Sequence, residues 1–269
     1  MENHSPRVLI TGATGGIGKS FAQWFAARNY RLLLTDLSDS TLLELSQQLK
    51  KQFPVEIQFE AMDLSHGEQI AAFMRKFSSE DAIDALVNCA GFGEGVEFCD
   101  ETLERQLRMI RVHITATVQL VHAILPDMVR KKRGKIITVA SMAAFTPSPG
   151  SSIYAATKSF LNSFMESIHM EVHEHGIQVM SLCPGLTHTE FHGKLQVEGK
   201  RSKVNKIIPW MESDKVVKIA MKGLEKGQVV CVPGCVNKAV KKMIPILPRG
   251  LFYALSEKMS ERQSDSESG

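Results

Sequence analysis

Between Arg7 and Ala26 the sequence passes without a gap through an apolar run (Arg7-Val8-Leu9-Ile10), a glycine turn (Thr11-Gly12-Ala13-Thr14-Gly15-Gly16-Ile17-Gly18) and a segment of helical period beginning at Lys19. A strand, a glycine turn and a helix in that order constrain the chain more than any other feature. Glycines lack Cβ, so the backbone can turn tightly and approach a pyrophosphate, whose charge then meets the free N–H groups at the helix N-terminus. The spacing is G-x-x-x-G-x-G, where the common dinucleotide fingerprint is G-x-G-x-x-G. A turn that merely reverses the chain is the plain alternative, and the strand and helix on either side weigh against it.

Apolar runs alternate with helical patterns along the rest of the chain. Strands are predicted at Val8–Thr11, Leu32–Thr35, Glu56–Ala61, Ala85–Asn88, Lys135–Ala140, Gln178–Leu182 and Val229–Val232. Helices are predicted at Gly16–Asn29, Ser40–Gln52, His66–Phe77, Thr102–Lys132, Ile153–His175 and Asp214–Lys226. This alternation points to the α/β class, with a doubly wound parallel sheet of seven strands covered by helices on both faces. At 269 residues with 43% hydrophobic content, the chain is long enough to bury one sizeable core.

Tyr154 and Lys158 are four residues apart in a predicted helix. Such residues share a face about 5–6 Å apart, where an ammonium would favour the phenolate and draw the tyrosine pKa below about 10. Ser141 ends the strand-like run at Ala140 and lies 13 residues before the tyrosine. A serine at the carboxyl end of a strand faces the ligand crevice of an open α/β sheet, where its hydroxyl can meet a carbonyl oxygen. A serine opening a turn is otherwise commonplace.

With these segments in this order, the chain resembles the short-chain dehydrogenase/reductase family from about Arg7 to Gly234. Thr11, Gly12, Gly16 and Gly18 match its TGxxxGxG motif, Asn88-Cys89-Ala90-Gly91 its N-x-A-G element, and Ser141, Tyr154 and Lys158 its active site. Pro184-Gly185-Leu186-Thr187-His188-Thr189 is similar to its P-G-x-x-x-T loop. The stretch from Leu125 to Phe191 resembles the bacterial branch of broad oxidoreductases related to ketoacyl and hydroxysteroid reductases. The resemblance implies a single Rossmann-fold domain over residues 1–262, with sheet order 3-2-1-4-5-6-7, a substrate lid near 189–211 and a C-terminal extension over 235–262. It also implies hydride transfer between a nicotinamide and a carbonyl or secondary alcohol. In the reducing direction Tyr154 would donate the proton, Ser141 would hydrogen-bond the alkoxide, and Lys158 would lower the tyrosine pKa and bind ribose. The glycine loop, with Thr14, Gly15 and Ile17, would hold pyrophosphate, Asp63 and Leu64 would contact adenine, and Ala90 and Gly91 would also bind the cofactor. Asn88, Thr187 and Thr189 would position the nicotinamide half, with Pro184 and Gly185 shaping the loop.

Asp36 follows the second predicted strand, 18 residues after Gly18, near the usual place of a ribose-binding carboxylate. A carboxylate there accepts hydrogen bonds from ribose hydroxyls and repels a 2′-phosphate. Leu37 stands where many NADP-using relatives carry arginine, and Gly15 where they often carry a basic residue, so NAD(H) is expected over NADP(H). Asp36 capping a turn or helix is the plain alternative, as is Asp63 capping the helix after it. The family's usual asparagine is replaced by His113, either a proton relay reaching Lys158 or a core histidine hydrogen-bonded within its helix.

A net charge of +3 with dispersed lysines and arginines argues against a nucleic-acid partner. The five cysteines (Cys89, Cys99, Cys183, Cys231, Cys235) form no C-x-x-C pair and read as reduced, mostly buried small hydrophobes, with no metal expected. No 18-residue apolar span is expected, and the polar amino end Met1-Glu2-Asn3-His4-Ser5 does not read as a signal, which together suggest the cytoplasm. Met142-Ala143-Ala144-Phe145-Thr146-Pro147 is expected to add apolar surface to the active-site approach, favouring a hydrophobic ketone, hydroxysteroid-like or 3-oxoacyl substrate. The lid region carries His192, Lys194, Lys200, Arg201, Lys203 and Lys206, either a solvated surface or an attractor of acidic substrate. Val240 to Tyr253 is basic and apolar; packing over the pocket or between subunits is preferred to lying on a membrane, because Pro245 and Pro248 break a long interfacial helix. Residues 263–269 are expected to be disordered. A homodimer or homotetramer is implied by the resemblance, and a nucleotide-binding regulatory or scaffold protein is the alternative function.

Overall fold

The computed structural model describes residues 5–78, 82–93, 95–147, 149–189, 210–254 and 256. Alternation within the central strands explains the sheet. In β1 (Arg7–Thr11) Val8 and Ile10 enter one apolar core and Leu9 another, and in β2 (Arg31–Asp36) Leu32 and Leu34 part from Leu33 in the same way. Neighbouring residues of a strand face opposite sides, so strands apolar at both parities must be covered on both faces. β3 (Ile57–Ala61), β4 (Ala85–Asn88), β5 (Gly134–Val139) and β6 (Ile177–Leu182) continue the parallel sheet. The chain then forms a separate two-residue ribbon, β7 (Thr187–His188) beside β8 (Met211–Glu212), before β9 (Val230–Cys231) returns to the edge. The order is 3-2-1-4-5-6-9, the predicted arrangement with the small ribbon interposed.

Helices cover both faces. α1 (Gly16–Ala26) contributes Phe21 and Phe25 to one core and α2 (Asp39–Gln52) adds Leu42 and Leu45. The other core holds Phe73 of α3 (Gly67–Ser78); after α4 (Leu103–Ile110) come Leu120 and Val121 of α5 (Ala116–Lys131) and Met165 of α6 (Ser152–Val172). α7 (Ser213–Glu225) returns to the first face through Val216 and Val217. Ser38, rather than Asp36, caps α2, its hydroxyl accepting from Thr41 N at 3.4 Å. The sheet order reverses between β1 and β4, so a crevice opens beyond the carboxyl ends of these strands.

Three expectations change. The helix predicted over Thr102–Lys132 is interrupted by a π-helical turn at Arg111–Thr115, an insertion that a 3.6-residue period does not reveal. Contrary to the expectation of no 18-residue apolar span, the combined run Leu103–Lys131 is long and apolar enough by length and composition to cross a bilayer. Its apolar side chains come from packing on the sheet, where Leu120, Val121, Ile124 and Met128 are buried. The C-terminal extension contains an unpredicted helix, α8 (Cys235–Met243), and in the single chain Met243, Ile246, Leu251 and Tyr253 are exposed. All five cysteines are free: Cys183 and Cys231 are buried, Cys89 is partly buried with its thiol turned inward, and Cys99 and Cys235 are exposed. Of the lid predicted near 189–211, residues 190–209 lie outside the described residues, as does the tail over 263–269.

Candidate active site

The glycine turn closes over the end of β1 because two positions leave no room for a side chain. Gly12 has φ +62°, and a Cβ there would stand 2.7 Å from the Ala90 backbone. At Gly18 a Cβ would stand 2.1 Å from Gly12 O, so this glycine lets α1 meet the turn. Thr11 locks the same junction, its hydroxyl accepting from Cys89 N (3.1 Å) and Ala90 N (3.2 Å). Asp36 braces the turn from the second strand. Its Oδ2 accepts from Thr14 N (3.0 Å) and Thr14 Oγ1 (2.6 Å), and its Oδ1 from Leu37 N (2.8 Å).

These elements surround a cavity of about 470 Å³, within the size range of small-molecule and cofactor sites. Gly12, Thr14, Gly15, Gly16, Ile17, Asp36, Leu37, Asp63, Leu64, Ala90 and Gly91 line it together with Ser141, Tyr154, Lys158, Pro184, Gly185, Thr187 and Thr189. Of the residues marked in the sequence, Gly18, Asn88 and His113 are off its wall. Gly18 acts through packing. Asn88 is buried in the sheet, where its Nδ2 donates to Thr138 Oγ1 at 3.1 Å across the β4–β5 pair, so its contribution is to the scaffold rather than to cofactor contact.

Ser141 leaves β5 in extended conformation and caps the turn Met142–Ala144, its Oγ accepting from Ala143 N at 3.1 Å. Tyr154 and Lys158 reach the cavity from the first turns of α6, with Lys158 Nζ 5.5 Å from the Tyr154 ring centre. The expectation that Lys158 lowers the tyrosine pKa is corrected by burial. Desolvation pushes the Tyr154 phenol above its ordinary value, and the hydrogen bond with Ser141 draws it part of the way back. Desolvation also brings the Lys158 ammonium down to about 8, while Nζ donates to Val139 O at 2.9 Å.

His113 sits in the π turn with both ring nitrogens engaged. Phe92 N–H donates to Nε2 (3.1 Å), which assigns the proton to Nδ1, and Nδ1 pairs with Thr157 Oγ1 (2.9 Å). The Thr157 hydroxyl in turn donates to Tyr154 O (2.8 Å). Burial and the Lys158 charge hold this imidazole well below its ordinary range, so it stays neutral. Its carbonyl accepts from the Thr117 hydroxyl at 2.7 Å. His113 thereby ties the segment after β4 to the helix that carries Tyr154, through Phe92 and Thr157.

Sequence reasoning missed several cavity residues. Phe92 lies under Arg105 and Arg108, whose guanidinium carbons are 5.4 and 5.8 Å from its ring centre. Arg105 pairs with Glu101 (2.8 Å) and Arg108 with Asp63 (3.0 Å). Burial pushes the Asp63 carboxyl up, yet its bonds with Ser65 and the Arg108 guanidinium outweigh that and leave it below its ordinary value. The bond from Ser65 N (2.9 Å) closes a turn ahead of α3 and reaches none of the N–H groups of that helix, so the capping role weighed above is not the one Asp63 takes. The i,i+4 spacing of Glu101 and Arg105 is local, but spacing carries no trace of the Arg108–Asp63 pair or of Phe92 under the two arginines, because these partners arrive from other elements. Met142 and Phe145, expected at the approach, pack instead on Ala140, Leu161, Cys183 and Val232, and none of residues 142–147 lines the cavity.

Comparison with known proteins bears on this site directly. A family model described as short chain dehydrogenase matches residues 6–199. The NADP-dependent 3-hydroxy acid dehydrogenase of Schizosaccharomyces pombe is 30% identical over 203 residues, covering 74% of this chain and 78% of that protein. Hydroxysteroid dehydrogenase-like protein 1 of Gallus gallus is 32% identical over 196 residues, covering 72% of this chain and only 59% of that protein. Among solved structures, a short-chain dehydrogenase from Sphingobium yanoikuyae in complex with NADPH has a TM-score of 0.77 and 30% identity, covering 97% of this chain and 95% of that one.

Proposed function

The chain belongs to the short-chain dehydrogenase family, an oxidoreductase family, and we propose that it interconverts a carbonyl compound and the corresponding secondary alcohol. The observation that carries this reading is one cavity whose wall joins a glycine cradle and Asp36 to Ser141, Tyr154 and Lys158. A nicotinamide cofactor fits the cradle, since Gly15 and Gly16 put no side chain of their own over the α1 N-terminus, where Thr189 packs against Gly16. When bound, the cofactor supplies or accepts the hydride. Tyr154 holds the proton delivered to the developing alkoxide, Ser141 hydrogen-bonds the same oxygen, and Lys158 contributes positive charge beside them. Hydroxysteroid-like and 3-oxoacyl compounds are the proposed substrate classes, the first in keeping with the name of the Gallus gallus relative, and the cytoplasm is the proposed location. Nothing in the site favours a non-catalytic scaffold. The test is a screen of cofactor oxidation and reduction over ketones, aldehydes, acyl thioesters and secondary alcohols; cofactor binding without turnover across the panel would remove the enzymatic reading.

NAD(H) is the proposed cofactor, although the Schizosaccharomyces relative is NADP-dependent and the Sphingobium structure holds NADPH. Asp36 is fixed at the cavity edge by three hydrogen bonds, and the nearest cavity arginines already face carboxylates. A 2′-phosphate beside Asp36 would meet a like charge, a juxtaposition worth several kcal/mol. The double change Asp36→Ala with Leu37→Arg is expected to move the ratio of kcat/KM for NAD over NADP by at least about tenfold toward NADP. An unchanged ratio would assign the preference elsewhere.

Homo-oligomerisation is proposed through the long helices. Leu103 and Leu107 of α4 and Phe160 and Met170 of α6 are exposed, an apolar set that a second copy can cover. Light scattering after size exclusion should give a dimer or tetramer, and Leu107→Glu with Phe160→Glu a smaller species. A monomeric parent would refute the assembly.

A further inference from the structure

α8 turns one flank into the fold and the other to solvent. Asn237 is buried, donates to Pro233 O at 2.8 Å and packs against Gly185, while Lys241 stands 4.8 Å over the Phe145 ring. On the outward flank Val236, Ala239 and Met243 recur at helical spacing and are exposed, with Lys238 and Lys242 beside them one turn apart. Past Met243 a 3-10 turn (Ile244–Ile246) contains Pro245 and residues 249–254 are helical again; Ile246 is 81% exposed, and Leu251 and Tyr253 follow with about half of their surface in water. These side chains form a protruding apolar edge. Charge indicates what covers it. Between Glu225 and Glu257 the sequence contains Lys226, Lys238, Lys241, Lys242 and Arg249 and no aspartate or glutamate, in a chain whose 32 basic and 29 acidic residues are otherwise nearly balanced. No ion pair joins Lys238, Lys242 or Arg249 to a carboxylate among the described residues.

We propose that residues 235–254 dock on an anionic bilayer surface. Met243, Ile246, Leu251 and Tyr253 enter the boundary between headgroups and acyl chains, and Lys238, Lys242 and Arg249 meet lipid phosphates. The prolines fit this geometry, because they divide the edge into α8, one 3-10 turn and the helical stretch at 249–254, and a shallow edge of short pieces needs no long interfacial helix. A second copy of the chain is the weaker occupant, since pairing this segment with itself opposes like charges. The surface is independent of the catalytic reading, and its test requires no turnover.

The full chain is sedimented with vesicles of phosphatidylcholine alone or containing about 30% phosphatidylglycerol, at low and high salt. Affinity is expected to be at least about tenfold higher for the anionic vesicles and to fall as salt screens the lysines. Ile246→Glu with Leu251→Glu and, separately, Lys242→Glu with Arg249→Glu should each abolish binding, with thermal melting close to that of the parent as evidence of an intact fold. Equal binding to both vesicle types, absence of binding, or binding that both variants retain would overturn the proposal. So would a parent that ignores vesicles but dissociates into smaller species when Ile246 and Leu251 are replaced, which would assign the edge to self-association.

Discussion

Tyr154→Phe is expected to lower turnover by about 10²–10⁴ while leaving nicotinamide cofactor affinity within a few-fold of the parent. The substitution removes one oxygen and keeps the ring, which lies edge-on to His113 at 6.0 Å between centroids, so the cavity wall stays in place. What is lost is the proton held against Ser141. Burial raises the phenol pKa, so Tyr154 is protonated throughout the neutral range and suits the acid role in carbonyl reduction. Lys158 titrates lower, near about 8, and reduction is expected to decline as pH rises through that value and the cavity loses its cation. Stopped-flow turnover beside a fluorescence titration of NADH separates the two effects. A Tyr154→Phe enzyme with parental turnover would move the acid to another group.

Much of this architecture was legible because its signals are local. Parallel strands buried on both faces write themselves as continuous apolar runs, and all seven predicted strands have counterparts shifted by no more than one residue at either end. The glycine turn was legible for the same reason: Gly12 needs a positive φ and Gly18 a bare Cα, and both demands fall within one stretch of chain. The partners that set electrostatics were not legible. Spacing placed Lys158 beside Tyr154, but whether burial or the neighbouring charge governs the phenol depends on the depth of α6 against β5 and β6. His113 shows the same limit. Its two ring bonds go to Phe92 and Thr157, which are 21 and 44 residues away. Met142 and Phe145 were misplaced because an apolar residue next to Ser141 reads alike whether it lines the cavity or packs behind it. Composition alone could not choose a face.

Lys158→Met tests the burial itself, through the dependence of stability on pH. In the folded chain Lys158 releases its proton near about 8, against 10.5 for an ordinary lysine. Between those values the unfolded chain binds the proton and the folded chain does not, so raising the pH favours folding. The contribution is absent below about 8, grows through the window and is complete above 10.5; at about 1.4 kcal/mol per pKa unit it reaches roughly 3 kcal/mol. Buried thiols act in the opposite sense. Burial raises Cys89 to about 12 and Cys183 and Cys231 to about 11, from an ordinary 9.0, so the folded chain keeps protons that the unfolded chain loses, and stability falls above that value. The two trends overlap in the parent and are separated only by difference. Urea unfolding of parent and variant from pH 7 to 10.5 should show the parent gaining on Lys158→Met by roughly 3 kcal/mol, the thiol contribution largely cancelling. The Val139 carbonyl, left without its donor in the variant, adds a cost that is constant with pH and does not alter the slope. Parallel curves would mean that the Lys158 ammonium is solvated in the folded chain, and the charge beside Tyr154 would then act through water instead of across a dry cavity wall.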